Sequence, residues 1–377
     1  MLAPLDNDPR DYAWGSTTLI PGLQGREPSG RPEAEIWFGD HPGSPARLPD
    51  GTTLAAHLTG ASLPYLLKLL AAASPLSIQV HPSKTQAEAG YAAEQDAGVP
   101  VDAATRNYRD DNHKPEVIVA LSDRFEALAG LRTVADTARL LALLGRGGAE
   151  VAAHLAGDDE AEALRTTLAW LLSGDAQSAV DAVVEALGDA DSAEFPGELA
   201  AARRIAAAYP GDPGVVVALL MNLVVLARGE AIFVPAGILH AYLGGLGVEI
   251  MAASDNVLRG GLTPKHIDVP ELLRVLDTRA GDPPRITPQP LGDGVEVFRP
   301  GIGDFELWQV EAGGAARVLE LHGPAIALAV AGEVRVSGAS GAAASLAPGQ
   351  AAFASAEESP LTITGAGEAF VALPGRV

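Results

Sequence analysis

Three short segments of the sequence combine imidazole, carboxylate and amide side chains with apolar, strand-like neighbours. Gln79 and His81 are two residues apart in LSIQVHP, so on a strand both side chains project from one face. Glu116 opens the apolar run EVIVAL, and His240 lies between two apolar runs in FVPAGILHAYLGG. Two imidazoles, one carboxylate and one amide oxygen suit a divalent ion such as Zn²⁺, with a position left for water or substrate. Taken alone, each residue is more typical of a surface pair, a solvated loop or a core histidine than of a metal ligand, and spacing does not show that the four converge.

Further ionisable residues fall inside segments that a globular fold would bury. Glu249 lies in GVEIM and Lys68 in LPYLLKLLAA, where an unpaired charge would be costly. Arg259 follows in SDNVLRGG, and its fixed cation offers several directed donors. Lys114 stands two residues before Glu116, within a dense polar run that is otherwise typical of a solvated loop.

Charge and composition exclude several classes of partner and site. The formal net charge of −22 disfavours nucleic acid and anionic membrane, because both require a basic surface. The absence of cysteine excludes disulfides, thiolate metal sites and cysteine nucleophiles, so any metal must bind to histidine, carboxylate or amide groups. There are four lysines among 26 basic residues, and all four lie beside or inside the segments that carry candidate chemistry: Lys68, Lys84, Lys114 and Lys265.

The hydrophobic pattern divides the 377 residues into sheet-rich and helix-rich parts. Short apolar runs separated by glycine and proline predict strands from the start to about Arg132 and again from Arg228, and we interpret 1–132 and 214–266 as one discontinuous domain. Ala/Leu-rich stretches with helical spacing predict a helical insertion over 133–213, and VVVALLMNLVVL after Pro213 predicts a further buried helix. Residues 267–377 are expected to form a linker helix, Pro270 to Asp277, and a second small barrel.

The chain begins without the basic and apolar pattern of a signal peptide, and its apolar run from Gly214 to Ala227 is too short to span a bilayer. We therefore expect a cytoplasmic protein.

Six segments, in this order along the chain, make the sequence similar to the type I mannose-6-phosphate isomerases, zinc-dependent enzymes of the cupin fold. They extend over most of the first 266 residues apart from the helical insertion, and after about residue 285 the similarity is only that of a barrel. The segments are YAWGS (12–16), AEIWFGDHP (34–42), LSIQVHPSK (76–84), YRDDNHKPE (108–116), FVPAGILHAY (233–242) and ASDNVLRGGLTPKH (253–266).

The resemblance implies a fold and a ligand set. It implies a mainly β protein with an α insertion, in which two cupin-like jelly-roll barrels accompany a helical domain. It also implies one zinc ion per chain, held by Gln79, His81, Glu116 and His240, the four residues proposed above on chemical grounds.

The implied reaction interconverts mannose 6-phosphate and fructose 6-phosphate through a cis-enediol. Such a reaction needs a base that moves a proton between C1 and C2 and a group that stabilises the enediolate oxygen. Glu249 is a plausible base because burial raises the proton affinity of a carboxylate, and Lys114 is the competing candidate. Arg259 is our candidate for stabilising the enediolate or gripping the substrate.

Other residues are candidates for ring opening and for phosphate binding. His41 and Asp255 are possible ring-opening groups, although hydrogen bonding within loops and turns explains them equally well. Ser77, on the strand face of Gln79, is a candidate for the phosphate together with Lys68 and Lys265. The expected partner is a small sugar phosphate, and the sequence leaves monomer and homodimer open.

Two other functions remain open at this point. A cupin metal dioxygenase would use a similar His/Glu site with iron, but it gives no role to lysine and arginine around that site. A non-catalytic sugar-phosphate-binding cupin would keep the fold without turnover.

Overall fold

A computed structural model describes residues 1–376, and strands dominate it outside one helical stretch. The strands run, in chain order, as β1 (Leu2–Leu5), β2 (Glu35–Phe38), β3 (Tyr65–Ala72), β4 (Ile78–Val80), β5 (Glu116–Ala120), β6 (Phe125–Leu131), β7 (Met221–Leu226), β8 (Ala231–Val234), β9 (His240–Ala252), β10 (Leu258–Gly261), β11 (Arg285–Ile286), β12 (Gln289–Gly292), β13 (Val295–Phe298), β14 (Glu306–Gly313), β15 (Arg317–Leu319), β16 (Ala325–Ser337), β17 (Ala343–Leu346), β18 (Ala351–Ala354) and β19 (Leu361–Leu373).

Helices are concentrated between β6 and β7, where the sequence predicts the insertion. The helices are α1 (Leu19–Leu23), α2 (Leu54–His57), α3 (Lys84–Asp96), α4 (Val134–Ala142), α5 (Arg146–His154), α6 (Glu160–Leu172), α7 (Gln177–Leu187), α8 (Pro196–Ala208), α9 (Gly214–Leu219) and α10 (Val269–Val275). Together with the two sheets described next, they confirm the mainly β class with an α insertion.

Within the described residues, the first sheet has ten strands arranged around the long strand β9. The first part of β9 pairs with β4 and β6, and the part from Gly245 onward pairs with β3 and β5. Gly245 allows this change of partners, because its φ of +122° disfavours a side chain and an added Cβ would lie 2.8 Å from Phe125. This change of partners along β9 brings the two groups of strands around one cavity.

The helices of the insertion are amphipathic, and their leucines and valines form a single core with the neighbouring strands. Threonine and aspartate cap the first turns of α4 and α6, where Thr133 and Asp159 accept backbone N–H groups. One expectation is wrong: VVVALLMNLVVL is not one helix, because α9 ends at Leu219 and Met221 begins β7. β7 pairs with β6, and this non-local pairing outweighs the helical spacing of the run.

The second sheet has nine strands among residues 1–376, drawn from the C-terminal part of the chain and from β1. β1 pairs with β18, so residues 2–5 lie in this sheet and not with the remainder of the expected 1–132 unit. Conversely, β11 belongs to the C-terminal part of the chain but pairs with β8 of the first sheet. Both strands are short edge strands whose partners are distant in sequence, so the local pattern does not reveal where they pair.

The two sheets share a hydrophobic core, and one buried tyrosine hydrogen-bonds from the first to the second. Leucines of β3 pack in the same cluster as phenylalanines of β18 and β19. The Tyr65 hydroxyl donates to the carbonyl oxygens of Pro324 at 3.0 Å and Ala372 at 3.1 Å.

Among the described helices, none is long and apolar enough to cross a membrane.

We expect Tyr65→Phe to lower the free energy of unfolding by about 1–3 kcal/mol, because it removes the two hydrogen bonds that the buried hydroxyl donates to the second sheet. Chemical denaturation of the purified variant measures this loss. Tyr91→Phe is the matched control, since its hydroxyl accepts an exposed hydrogen bond from Gln95 and its removal should change stability by less than about 0.5 kcal/mol. Equal stability of the two variants would show that Tyr65 does not join the sheets.

Candidate active site

Three of the four predicted ligands meet in the first sheet. His81 directly follows β4, Glu116 is the first residue of β5 and His240 is the first residue of β9. All three side chains are buried, and one nitrogen or oxygen of each lies within 4.8 Å of the others. Three separate strand ends thus converge on a compact cluster of the residue types that bind zinc.

Both imidazole rings are oriented by backbone carbonyl groups. Nδ1 of His81 donates to the oxygen of Asn256 at 2.7 Å, and Nδ1 of His240 donates to the oxygen of Ile238 at 3.1 Å. With Nδ1 protonated, the neutral ring presents the lone pair of Nε2. The two Nε2 atoms lie 3.2 and 3.4 Å from the carboxylate oxygens of Glu116.

Nε2 of His81 is a buried nitrogen that has no hydrogen-bond partner within residues 1–376. Burial, reinforced by the nearby Lys114 ammonium, lowers the pKa of His81 to about 4, so this ring is neutral near pH 7. A neutral buried imidazole with an unsatisfied lone pair is the arrangement that a metal ion would complete.

Gln79 lies beside the cluster on β4. It is opposite His240 in the antiparallel register with β9 and opposite Arg259 in the register with β10. Its amide nitrogen donates to Ser77 Oγ at 3.3 Å, and Gln79, Ser77 and His240 all line the same cavity. The structure thus places Gln79 beside His240, in the cavity that Glu116 also lines.

The carboxylate of Glu116 also contacts an ammonium group and a phenol. Lys114 Nζ donates to Oε1 of Glu116 at 2.5 Å, and the Tyr242 hydroxyl donates to Oε2 at 3.4 Å. Burial alone would raise the pKa of Glu116, but Lys114 and His81 together hold that pKa well below its usual range. Glu116 is therefore ionised, as a metal ligand must be.

A cavity of about 500 Å³ opens above this cluster and contains two further buried acids, Glu35 and Glu249. Lys68 Nζ lies 3.4 Å from Glu249 Oε2, 3.7 Å from Glu35 Oε1 and 4.8 Å from the centre of the Trp37 ring. Burial raises the pKa of Glu249 to about 7, although Lys68 acts in the opposite direction. Glu35 and Glu249 outweigh the effect of burial on Lys68 and raise its pKa.

Two cations line the other side of the cavity without acidic neighbours. Burial lowers the pKa of both Arg259 and Lys265, and the charges that act on these residues are other cations, including Arg109. Arg259 lies in β10, and the turn that leads from β10 to Lys265 is held by Asp212, which accepts the backbone N–H groups of Leu262 at 3.0 Å and of Thr263 at 3.1 Å. The result is a local positive site suited to an anion.

Three residues of the six segments that carry the resemblance lie outside this cavity: His41, Asp255 and Lys84. His41 Nε2 is 3.2 Å from Asp255 Oδ2, but the pair lines a separate depression of about 590 Å³. Lys84 begins α3, is half exposed, and lies 3.8 Å from Glu88 and from Asp111. His41 and Asp255 therefore contact each other, as the interpretation of hydrogen bonding within loops and turns predicts. Lys84 is a surface residue.

Sequence reasoning assigned no role to three side chains that shape the cavity. Glu35 neutralises Lys68, Tyr242 contacts Glu116, and Asp212 holds the turn after β10. A signal existed for Glu35, because a carboxylate in the apolar run AEIWF requires a partner, as Lys68 does. No local signal marks Asp212, whose partners lie about 50 residues away in the chain.

Comparison with known proteins extends the similarity well beyond these motifs. Residues 2–134 match the family described as phosphomannose isomerase type I, catalytic domain. The mannose-6-phosphate isomerase of Escherichia coli (strain K12) is 38% identical over 388 residues, covering 97% of this chain and 98% of the relative. The mannose-6-phosphate isomerase of Homo sapiens is 31% identical, covering 89% and 88% of the two chains.

The similarity of this chain to solved structures extends over the complete fold. The crystal structure of mannose 6-phosphate isomerase from Salmonella typhimurium bound to substrate (f6p) and zinc superposes with a TM-score of 0.90 and 35% identity, covering all of both chains. A zinc-bound mannose 6-phosphate isomerase gives the same values. Because similarity of sequence and of structure extends over nearly the whole length, this chain belongs to the type I mannose-6-phosphate isomerase family.

Proposed function

We propose that this chain interconverts mannose 6-phosphate and fructose 6-phosphate. The observation that carries the proposal is that one cavity contains the His–Glu–His cluster, a buried carboxylate with a raised pKa and two cations without acidic neighbours. An aldose–ketose isomerisation of a phosphorylated sugar needs a base, a group that stabilises the enediolate oxygen and a positive site for the phosphate, and this cavity offers all three. The relative whose structure contains fructose 6-phosphate and zinc supports the same assignment.

We assign the metal to His81, Glu116, His240 and Gln79. The unsatisfied Nε2 of the neutral His81 ring and the ionised carboxylate of Glu116 fit Zn²⁺. A zinc ion bound there would polarise carbonyl and hydroxyl oxygens as a Lewis acid. Lys114 and Tyr242 orient the Glu116 carboxylate through the contacts described above.

We assign the role of proton-transferring base to Glu249. Its pKa of about 7 means that it can accept and return a proton near neutral pH without a large energetic penalty. The alternative base, Lys114, already donates to the Glu116 carboxylate at 2.5 Å, so its ammonium group is engaged by a metal ligand. We assign to Arg259 the stabilisation of negative charge on the sugar oxygens, and its position in the lining of the same cavity supports this role.

Lys68 is better explained as a partner of Glu249 than as a phosphate ligand. It lies between the carboxylates of Glu35 and Glu249, which already supply its counter-charge. We retain Ser77 and Lys265 for the phosphate, because both line the cavity and Lys265 has only cationic neighbours acting on its charge. His41 and Asp255 line the separate depression, so we assign no ring-opening role to them.

The two alternative functions predict different measurements. A dioxygenase would consume oxygen, and a binding cupin would bind the sugar phosphate without turnover. A coupled assay on mannose 6-phosphate, with zinc and after chelation, separates these from the isomerase. The oligomeric state and the cytoplasmic location remain predictions that sedimentation and fractionation would test.

We expect His240→Ala to lose bound zinc and activity together, because it removes one of the two imidazole ligands. Metal analysis after dialysis, combined with the coupled assay, measures both losses. His57→Ala, on the exposed end of α2, should change neither. Full zinc occupancy in His240→Ala would contradict the ligand assignment.

Arg259→Ala should retain zinc but lower kcat/KM by about 10–100-fold, the value of one or two charge-assisted hydrogen bonds. Steady-state kinetics with parallel metal analysis tests this. The control is Arg279→Ala, which removes an exposed arginine that pairs with Asp277. Unchanged kinetics in Arg259→Ala would remove the proposed contact with substrate.

Glu249→Gln should retain zinc and substrate binding but lower kcat by about 10²–10⁴-fold, because the amide cannot accept the proton. In the wild type the base must be ionised, so kcat should fall as the pH drops below about 7, the pKa of Glu249. A pH profile of kcat, with substrate saturating at each pH, measures this limb. Wild-type exchange of the C2 proton with solvent in Glu249→Gln would show that another group is the base.

A further inference from the structure

Asn256 is completely buried between the His81 imidazole and the loop 109–112, and the roles assigned above do not include it. We propose that Asn256 is a positioning residue for the metal centre: its side chain fixes the segment whose backbone oxygen orients His81. This inference rests on the proposed function, since it concerns the zinc site of that function.

The side-chain amide of Asn256 satisfies three neighbouring residues at once. Its Oδ1 accepts the backbone N–H groups of Arg109 at 2.7 Å and Asp110 at 3.3 Å. Its Nδ2 donates to the backbone oxygens of Asp110 and Asn112, both at 2.8 Å, and to Asp110 Oδ1 at 3.2 Å. The amide thus uses its acceptor and its donors on one loop.

The backbone of Asn256 forms the link to the metal cluster. Its carbonyl oxygen accepts the Nδ1 proton of His81 at 2.7 Å, and its N–H group donates to Ser254 Oγ at 3.2 Å. Ser254 Oγ in turn lies 2.8 Å from Asp110 Oδ1, to which it donates. The segment 254–256 is therefore tied to the loop 109–112 by two neighbouring side chains, and the position of the carbonyl oxygen depends on both.

Only an amide side chain of this size provides both kinds of hydrogen bond. An aspartate at position 256 would keep the acceptor but lose the donors to the backbone oxygens of Asp110 and Asn112. It would also place a carboxylate beside the Asp110 carboxylate, where like charges repel. Both effects would displace the segment and with it the group that sets the tautomer and orientation of His81.

Hydrogen-bond partners of metal-binding histidines typically contribute about 10–100-fold in metal affinity. The hydrogen bond from Nδ1 keeps Nε2 as the free lone pair, so a misplaced carbonyl oxygen weakens the ligand without removing it. We therefore expect Asn256→Asp to bind zinc about 10–100-fold more weakly than the wild type.

The test compares Asn256→Asp with Asn7→Asp in the full chain. Asn7 is the matched control, because its Nδ2 donates to the backbone oxygens of Trp37 at 2.8 Å and Ser44 at 2.9 Å, outside the metal cluster. Zinc affinity is measured by competition with a chromogenic chelator, and ligand geometry by the visible spectrum of the cobalt-substituted protein. Thermal unfolding of each metal-free protein shows how much stability the substitution removes.

The expected result is weaker zinc binding and an altered cobalt spectrum in Asn256→Asp. In Asn7→Asp, the zinc affinity and the cobalt spectrum should match those of the wild type. Wild-type affinity and spectrum in Asn256→Asp would overturn the proposal, as would an equal loss of affinity in the two variants. A wild-type chain that binds no zinc would instead overturn the metal assignment of the proposed function.

Discussion

The buried carboxylate of Glu116 sets the constraint on which the rest of the site depends. A charge with 3% exposure is strongly unfavourable unless positive or polar groups surround it. Here an ammonium, a phenol and two imidazoles converge on it, from the polar segment before β5, from β9 and from the end of β4. The strands must therefore meet at this point for the sheet to be stable, and the same convergence creates a set of metal ligands.

The two buried carboxylates differ because their neighbours differ. Glu116 has Lys114 in direct contact and is ionised well below neutral pH, as a ligand should be. Glu249 shares Lys68 with Glu35, and the net effect of burial leaves its pKa at about 7, suitable for a base. Divergent environments thus separate a metal-binding acid from a proton-transferring acid within one cavity, as in other enzymes that use two carboxylates.

The sequence predicts the ligands better than it predicts their surroundings. Gln79 and His81 share a strand face, and their residue types alone limit the chemistry to a few metals, so local pattern suffices for them. The ion pair of Glu35 with Lys68, the turn held by Asp212 and the placement of β1 in the second sheet depend on contacts between distant parts of the chain. Such contacts follow from sheet register, which no single segment specifies.

The overall charge of −22 makes the local placement of cations decisive. A phosphate dianion is repelled by the average field of an acidic protein, so binding requires positive groups that are not already neutralised. Three of the four lysines line the cavity, but Lys68 and Lys114 are compensated by buried carboxylates. The attractive field must therefore come from Lys265 and Arg259, where burial and repulsion from neighbouring cations already lower the pKa of each group. An incoming dianion relieves that repulsion. The unfavourable free energy of holding the two cations in the cavity before substrate binds therefore makes binding of the substrate more favourable.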